Sequence, residues 1–232
     1  MPKAISKETS LPLFADDSKC FQVTLGRYDG EKLQDDLNKL FQWSCIWGMD
    51  FNAKKCKVLR VARLRSTDGR DYYLGEIKLD RVDVEKDSGI LVSHNLRWNN
   101  HVDPISSKAQ KMLNVLYRTC KDINDIRTKK LLYIAWVRLR LEYASVVWSP
   151  HTKRNINNLE QVQRRATRFI LGRDYSEYER LSNLLPLKYR REINDLFFFI
   201  KCLKNMCKLN ILDYVSFRSC TKPLTNVDHF HA

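Results

Sequence analysis

The chain has 232 residues, of which 44% are hydrophobic and 11% aromatic, so its composition excludes an intrinsically disordered protein and supports a core in one or two domains. No apolar run approaches membrane-spanning length, and residues 1–10 lack the apolar core of a secretory signal, so we expect an intracellular protein, nuclear or cytoplasmic, without a membrane partner. The net charge of +14 makes a polyanion the expected class of partner.

Two adjacent carboxylates lie between two apolar runs in residues 11–23. This pattern predicts a strand, a tight turn and a returning strand, with Asp16 and Asp17 at the tip. Hard divalent cations prefer oxygen ligands, so such a tip is a candidate magnesium site with coordination positions left open for phosphate and water. The alternative is a polar hairpin turn, where aspartate is common because it hydrogen-bonds nearby backbone.

Residues 31–47 have apolar side chains at helical spacing, which predicts an amphipathic helix that ends at Gly48. We expect its apolar face to pack under the sheet that carries the hairpin; this face contains Leu33, Leu37, Leu40, Phe41 and Trp47. Trp43 and Trp47 are four residues apart, so we expect them to share a face and to belong to the core. Asp35 and Asp36 are expected to point away from the apolar face.

A lysine-rich turn follows Gly48 and leads into a strand that runs to about Val61. Its lysines can neutralise triphosphate charge or simply form a solvated basic turn. Further short apolar runs predict a small antiparallel sheet; they occupy residues 72–74, 77–79, 82–84 and 90–92.

The remaining sequence predicts helices at residues 101–120, 128–148, 155–171 and 187–209, with a shorter one near 178–185. Pro150 and Pro186 mark two of the breaks between them. A helical bundle follows from this pattern. We therefore predict an α+β fold, with a sheet-containing domain over residues 1–100 and a helical domain over residues 101–232.

Basic residues are concentrated in the second half of the chain. Residues 1–100 carry 17 basic and 15 acidic side chains, whereas residues 101–232 carry 24 and 12, which favours nucleic-acid binding by the second half. Arg164 and Arg168 lie one helical turn apart on one face, spaced to meet successive phosphates, and Arg165 is adjacent. Lys108 and Lys111 are further candidates. The alternatives are a solvated basic surface and, for the arginines, a favourable interaction with the helix macrodipole.

The seven cysteines are scattered and contain no C-x-x-C pair, so we expect reduced thiols and no disulfide framework. One cluster of sulfur and imidazole groups has the chemistry of a zinc site. Its members are Cys202, Cys207, Cys220, His229 and His231. The alternative for Cys202 and Cys207 is a role as small core residues of an apolar helix.

Five segments, in this order, resemble reverse transcriptases of non-LTR retrotransposons of the LINE or jockey type. They are Phe-Ala-Asp-Asp at residues 14–17, Asn-x-x-Lys-Cys at 52–56, residues 87–101, Leu-Glu-Tyr-Ala-Ser-Val-Val-Trp-Ser-Pro at 141–150, and Leu-Glu-Gln-Val-Gln-Arg-Arg-Ala-Thr-Arg at 159–168. The resemblance implies that residues 1–100 are the end of a polymerase palm. It also implies that residues 101–232 are the thumb and the helical region that follows it.

The family's chemistry is nucleotidyl transfer with two metal ions. The resemblance implies that Asp16 and Asp17 are catalytic Mg²⁺ ligands and that RNA template and DNA primer are the partners. By the same resemblance, Phe14, Ala15, Asn52 and Lys55 line the nucleotide end of the cleft. A further aspartate and the fingers, which the family places upstream, are not found before Phe14. We therefore expect a fragment that binds Mg²⁺ weakly and has no polymerase activity alone.

Two other interpretations stay open. The chain can be a non-catalytic, basic nucleic-acid-binding module or a relic of a mobile element. A host polymerase of the telomerase kind would share the hairpin chemistry, but the segments beyond the palm argue against it.

Overall fold

The computed structural model describes residues 5–14, 17–24, 27–62, 70–172, 184–207, 209 and 213–216. The chain divides into two compact units, residues 1–104 and residues 105–232. The division falls within a helix, α2, which spans Asn99–Thr119. The mixture of helices and small sheets is compatible with the predicted α+β class.

The first unit contains eight short strands among its described residues. They are β1 Leu13–Phe14, β2 Asp17–Ser18, β3 Lys57–Leu59, β4 Tyr73–Leu74, β5 Ile77–Lys78, β6 Asp80–Val82, β7 Val84–Asp87 and β8 Ile90–Ser93. The strands form four pairs, of which β1–β2, β4–β5 and β7–β8 are antiparallel. The fourth pair, β3–β6, is parallel, and the four pairs are separate two-stranded sheets, so the single small antiparallel sheet predicted between residues 72 and 92 was wrong. A parallel pair was not foreseen because periodicity within a strand does not specify its partner.

Helix α1 spans Arg27–Trp47 and is the only long helix that lies wholly within the described part of the first unit. It ends as predicted at Gly48, whose φ of +62° is in the left-handed region that favours glycine. The N–H of Met49 then donates to the carbonyl of Ser44 at 3.0 Å, which satisfies a carbonyl of the last turn. Helix α1 packs on β4. The side-chain amide of Gln34 donates to and accepts from the backbone of Tyr73, both at 2.9 Å.

One expectation for α1 was wrong, and one of its polar residues is unexpectedly buried. The rings of Trp43 and Trp47 are 6.3 Å apart, as their spacing predicted, but Trp47 is 67% exposed and does not belong to the core. Asp36, which was expected only to point away from the apolar face, is buried. The reason is that residues 6–9 lie against this part of the helix and supply hydrogen-bond donors to its carboxylate.

The helices of the second unit surround one core. After α2 they are α3 Ile126–Tyr133, a π-helical segment Ile134–Arg138, α4 Leu139–Glu142, α5 Ser145–Trp148, α6 Lys153–Leu171 and α7 Leu187–Leu203. The largest fully buried apolar side chains of this unit come from all seven of these elements. They are Leu113, Tyr133, Val137, Leu141, Trp148, Leu159, Ile170 and Leu187.

The predicted helix over residues 128–148 is broken into several pieces. A π-helical segment interrupts it, and Ala144 adopts a left-handed conformation with φ of +50°, which ends α4 before α5 begins. Helix α7 ends at Leu203, earlier than the predicted residue 209. Of the short helix predicted near residues 178–185, positions 178–183 lie outside the described residues, and residues 184 and 185 are not helical. No helix in the described part of the chain is long and apolar enough to cross a membrane.

Candidate functional site

Two short antiparallel strands, β1 and β2, lie where the acidic hairpin was predicted. Leu13 pairs with Ser18 and Phe14 with Asp17 in antiparallel register. The pairing continues beyond the strands, because the backbones of Ser10 and Phe21 exchange hydrogen bonds of 2.9 and 3.0 Å. Asp17 is therefore the first residue of β2 and is exposed, and its partner Phe14 is 80% exposed. The other two candidates, Ala15 and Asp16, lie outside the described residues.

Lys19 connects this hairpin to the β7–β8 hairpin. Its ammonium group contacts the carboxylate of Asp87, the last residue of β7. Ser88 and Gly89 then form the turn, with φ of +47° and +89°. The segment that resembles the family element preceding the thumb is thus joined to the strand that carries Asp17. Because both partners of this ion pair are largely exposed, it contributes little to stability and mainly indicates where the two hairpins meet.

The base of the acidic hairpin is anchored on α1 through Asp36. The N–H and Oγ–H of Ser6 donate to its two carboxylate oxygens at 3.1 and 2.5 Å, and Lys39 Nζ lies 2.9 Å from Oδ1. Burial disfavours the charged carboxylate, but the hydrogen bonds from Ser6, Thr9 and Lys39 outweigh it and lower the pKa of Asp36 to about 2. Burial, reinforced by the negative charge of Asp36, raises the pKa of the Cys20 thiol to about 11.

Asn52 and Lys55 lie together in the turn between α1 and β3. The N–H of Lys55 donates to the carbonyl of Asn52 at 2.9 Å, and both side chains are exposed. Lys57, at the start of β3, contacts Asp80 of β6 at 2.6 Å. Among the described residues, no hydrogen bond or ion pair joins Asp17 to Asn52 or Lys55. The structure therefore brings Asn52 and Lys55 together without a direct polar link to the hairpin.

The described residues contain no cluster of three or more histidine, cysteine, aspartate or glutamate side chains that could hold a metal ion. Asp17 is the one hairpin carboxylate among them, which is far short of a complete oxygen ligand set for Mg²⁺. For the zinc hypothesis, Cys202 is buried and Cys207 is half-buried near the end of α7. The other three members, Cys220, His229 and His231, lie outside the described residues.

Helix α6 has one core face and one basic face. The core face contains Leu159, Val162, Gln163, Ala166 and Ile170, all buried. The opposite, exposed side carries four arginines and two amides at helical spacing: Arg154, Asn157, Gln161, Arg164, Arg165 and Arg168. We call these six residues the arginine face. Arg164, Arg165 and Arg168 are thus all exposed, as the sequence predicted.

Two polar side chains of α6 that do not belong to the arginine face make contacts with neighbouring helices. The one acidic residue of this helix, Glu160, accepts a hydrogen bond of 2.8 Å from the N–H of Lys188 at the start of α7. Gln163 is also directed inward, where it accepts from Tyr133 Oη and donates to the carbonyl of Leu185, both at 3.0 Å. Only Arg168 lies in the last turn of α6, so the macrodipole does not account for Arg164 and Arg165.

Lys108 and Lys111 are exposed on α2. A shallow hollow of about 620 Å³ extends along the same helix and is lined by Lys111, Asn114, Val115, Tyr117 and Arg118. The hydroxyl of Tyr117 donates to the backbone carbonyl of Arg165 at 3.0 Å, which holds α2 against α6. Its ring packs edge-on against Phe169 with centroids 5.0 Å apart. This end of α2 therefore borders the helix that carries the arginine face.

The sequence reasoning missed an exposed set of aromatic and basic residues, Trp136, Arg140 and Tyr143. Their spacing of four and three residues was a usable signal for one helical face. It was overlooked because residues 128–148 were treated as one helix whose apolar residues form core.

No protein-family model, no curated protein and no solved structure matches this chain.

Proposed function

We propose that the chain is part of a reverse transcriptase of the non-LTR retrotransposon type and that its second unit binds the template–primer duplex. The observation that supports the proposed binding is the arginine face of α6. It presents four guanidinium groups on one exposed side of the helix. Phosphate contacts of this kind supply affinity without reading sequence, as copying of an arbitrary template requires.

The spacing of the arginines supports this role. Arg164 and Arg168 are four residues apart, which is a rise of about 6 Å along the helix axis. Both side chains can therefore reach the same backbone of a nucleic acid at neighbouring positions. The core face of α6, which is packed against α3 and α7, fixes the helix and thus the direction in which the arginines project.

For catalysis, we propose that Asp16 and Asp17 are ligands of Mg²⁺ in the complete polymerase. The metal ions would lower the barrier by stabilising the attacking and leaving oxygens of the phosphoryl group. Two carboxylates of one hairpin are too few ligands and too little negative charge for tight binding, so a further oxygen ligand is needed. Asn52 and Lys55, whose side chains are exposed in the turn before β3, are proposed to face the triphosphate.

Binding of an RNA–DNA hybrid, followed by fluorescence anisotropy over a range of salt concentrations, tests the arginine face. In the variant with Arg164→Gln and Arg168→Gln we expect weaker binding and a salt dependence that is reduced by about one unit of slope for each arginine. A variant with Lys201→Gln and Lys204→Gln, which loses the same charge from exposed positions at the end of α7, is the matched control. Equal losses in both variants would mean that only net charge matters and would overturn the proposed site.

A second candidate function is a nucleic-acid-binding module without catalysis. It is favoured by the location of the arginine face in a unit that does not contain the acidic hairpin. The variant with Asp16→Asn and Asp17→Asn separates the two functions. The module is favoured over the enzyme by two results together. This variant binds the hybrid as the unaltered chain does, and the unaltered chain extends no primer when the fingers and upstream palm of a polymerase are supplied.

A further inference from the structure

The segment that connects α3 to α5 has a buried side and an exposed aromatic side. Tyr133, Val137 and Leu141 are fully buried and fill the core. On the other side, Trp136 is 53% exposed and Tyr143 is 58% exposed, although aromatic side chains of this size usually gain free energy from burial. The core of the unit therefore does not account for these two rings.

Arg140 lies between the two rings. It is exposed, and its Nε–H donates to the backbone carbonyl of Trp136 at 3.2 Å, so its side chain extends back along the helix towards the tryptophan. The three residues are separated by four and three positions, which puts them on one side of the helix. We call Trp136, Arg140 and Tyr143 the stacking face.

The backbone of this segment departs from a regular α-helix. Trp136 lies within the π-helical segment, where the N–H of Leu139 donates to the carbonyl of Ile134, five residues earlier. Such segments are rare and often occur at functional sites. Directly after Tyr143, Ala144 adopts its left-handed conformation and ends the helix. The stacking face thus begins in the π-helical segment and ends at the left-handed Ala144, two departures from regular helical geometry.

The segment that carries these rings is basic in sequence. Residues 126–143 contain five basic side chains and one acidic side chain, Glu142. That glutamate is nearly buried and contacts Arg138 and Arg190, so it does not neutralise the exposed side. Aromatic rings within positive charge are the combination that binds single-stranded nucleic acid, because every base has a π-face and every nucleotide carries a phosphate.

We propose that the stacking face binds unpaired bases of a single-stranded nucleic acid, with one base stacked on Trp136, another on Tyr143, and Arg140 between them contacting the backbone. Trp136 and Tyr143 are seven residues apart, or about 10 Å along the helix, which matches about three stacked nucleotides at 3.4 Å each. The proposal rests on the proposed function, since it assumes that this unit binds nucleic acid. It adds the form of ligand, a single strand, and a site separate from the arginine face.

The test compares a single-stranded RNA with a blunt duplex of the same sequence, each labelled with a fluorophore and titrated with the full chain. We expect Trp136→Ala and Tyr143→Ala each to weaken binding of the single strand about fivefold or more. Binding of the blunt duplex should be unchanged. Trp136→Phe keeps a stacking surface and should retain most of the affinity. Leu131→Ala removes an equally exposed apolar side chain that has no π-system and should have no effect.

The outcomes distinguish this inference from the proposed function. Duplex binding that depends on Arg164 and Arg168, combined with single-strand binding that is insensitive to Trp136 and Tyr143, would overturn the stacking face alone. If the unaltered chain binds neither the single strand nor the duplex, both the proposed function and the stacking face are overturned. If Trp136→Ala leaves single-strand binding intact but abolishes self-association in analytical ultracentrifugation, the rings form a protein interface and the inference is wrong.

Discussion

The Arg190 guanidinium binds both carboxylate oxygens of Glu142: Nη2 donates to Oε2 at 3.1 Å, and Nε donates to Oε1. This pair joins the end of α4 to the first half of α7 across 48 positions of sequence. The hydrogen bond with Glu142 raises the pKa of Arg190, which keeps the arginine charged. Arg138 approaches the same carboxylate, with Nε 3.6 Å from Oε2. Glu142 is thus shared by two arginines.

Glu142→Gln is expected to destabilise the second unit by about 2 kcal/mol, because it leaves two partly buried guanidinium groups without their counter-charge while keeping the side chain's shape. The free energy of unfolding, from urea titration followed by circular dichroism, measures the effect. Glu192→Gln is the control: its pair with Lys188, at 3.7 Å, has both partners more than half exposed and should be worth less than about 0.5 kcal/mol. A cost below that of the control would contradict a structural role for the Glu142 pair.

The segment at 141–150 illustrates what the sequence could predict. Its resemblance to a known family helped to identify the region beyond the palm, but it did not indicate what its residues do in the fold. In the structure, Trp148 is fully buried and its Nε1–H donates to the carbonyl of Tyr143 at 2.8 Å, while Asn194 of α7 donates to Ser145 at 3.4 Å. The contact between Asn194 and Ser145 joins residues 49 positions apart, which periodicity within one helix does not report.

Predictions that rest on local sequence pattern were more successful than predictions of which segments pack together. The hairpin, the end of α1 at Gly48 and the exposed arginines of α6 follow from turn chemistry, glycine geometry and helical spacing. Three other features depend on which segments pack against one another in the folded chain. They are the parallel pairing of β3 with β6, the burial of Asp36 and the exposure of Trp47. Asp36 is buried because residues 6–9 bring their donors to it. The placement of Asp16 and Ala15 stays a prediction.

The stability of the first unit is expected to fall at low pH because of Asp36. The folded state lowers the pKa of this carboxyl from 3.8 to about 2, so its contribution is fully present above about pH 4 and is lost as the pH falls from 3.8 towards 2. A shift of this size corresponds to about 2 kcal/mol. Urea titrations at a series of pH values measure the loss.

Two variants of neighbouring aspartates on α1 separate this contribution from general acid effects. Asp36→Asn should reduce stability at neutral pH and flatten the dependence below pH 3.8. Asp35→Asn should do neither, because the side chain of Asp35 is exposed. An equally steep acid transition in the chain with Asp36→Asn would show that other carboxylates govern it.

Two glycines of the first unit have nearly the same strained conformation but different surroundings. Gly48 has φ of +62° and nothing within 4 Å of the position that a Cβ would occupy. Gly75 has φ of +63°, and a Cβ there would lie 2.6 Å from Cζ of Phe41. We expect Gly48→Ala to cost about 1–2 kcal/mol from backbone strain alone. Gly75→Ala should cost more, because the ring of Phe41 must also move.

A double-mutant cycle isolates the contribution of the ring. In a chain that already carries Phe41→Ala, the substitution Gly75→Ala should cost no more than Gly48→Ala, because the overlapping atoms are gone. The measurement is again the free energy of unfolding in urea. An identical cost of Gly75→Ala with and without Phe41 would mean that α1 and β4 adjust without loss, and that their packing is looser than the contact implies.

The chain alone is expected to bind Mg²⁺ too weakly to change its stability. Asp16 and Asp17 supply at most two carboxylates, and the described residues contain no further cluster of metal-ligating side chains. While the magnesium concentration stays below its Kd, binding stabilises the folded state by less than about 0.4 kcal/mol. Thermal unfolding with and without Mg²⁺ measures this, and the variant with Asp16→Asn and Asp17→Asn should behave identically. A primer-extension assay is the stricter measurement: extension that requires Mg²⁺ and disappears in Asp16→Ala would prove that the chain already contains a working polymerase site, contrary to this expectation.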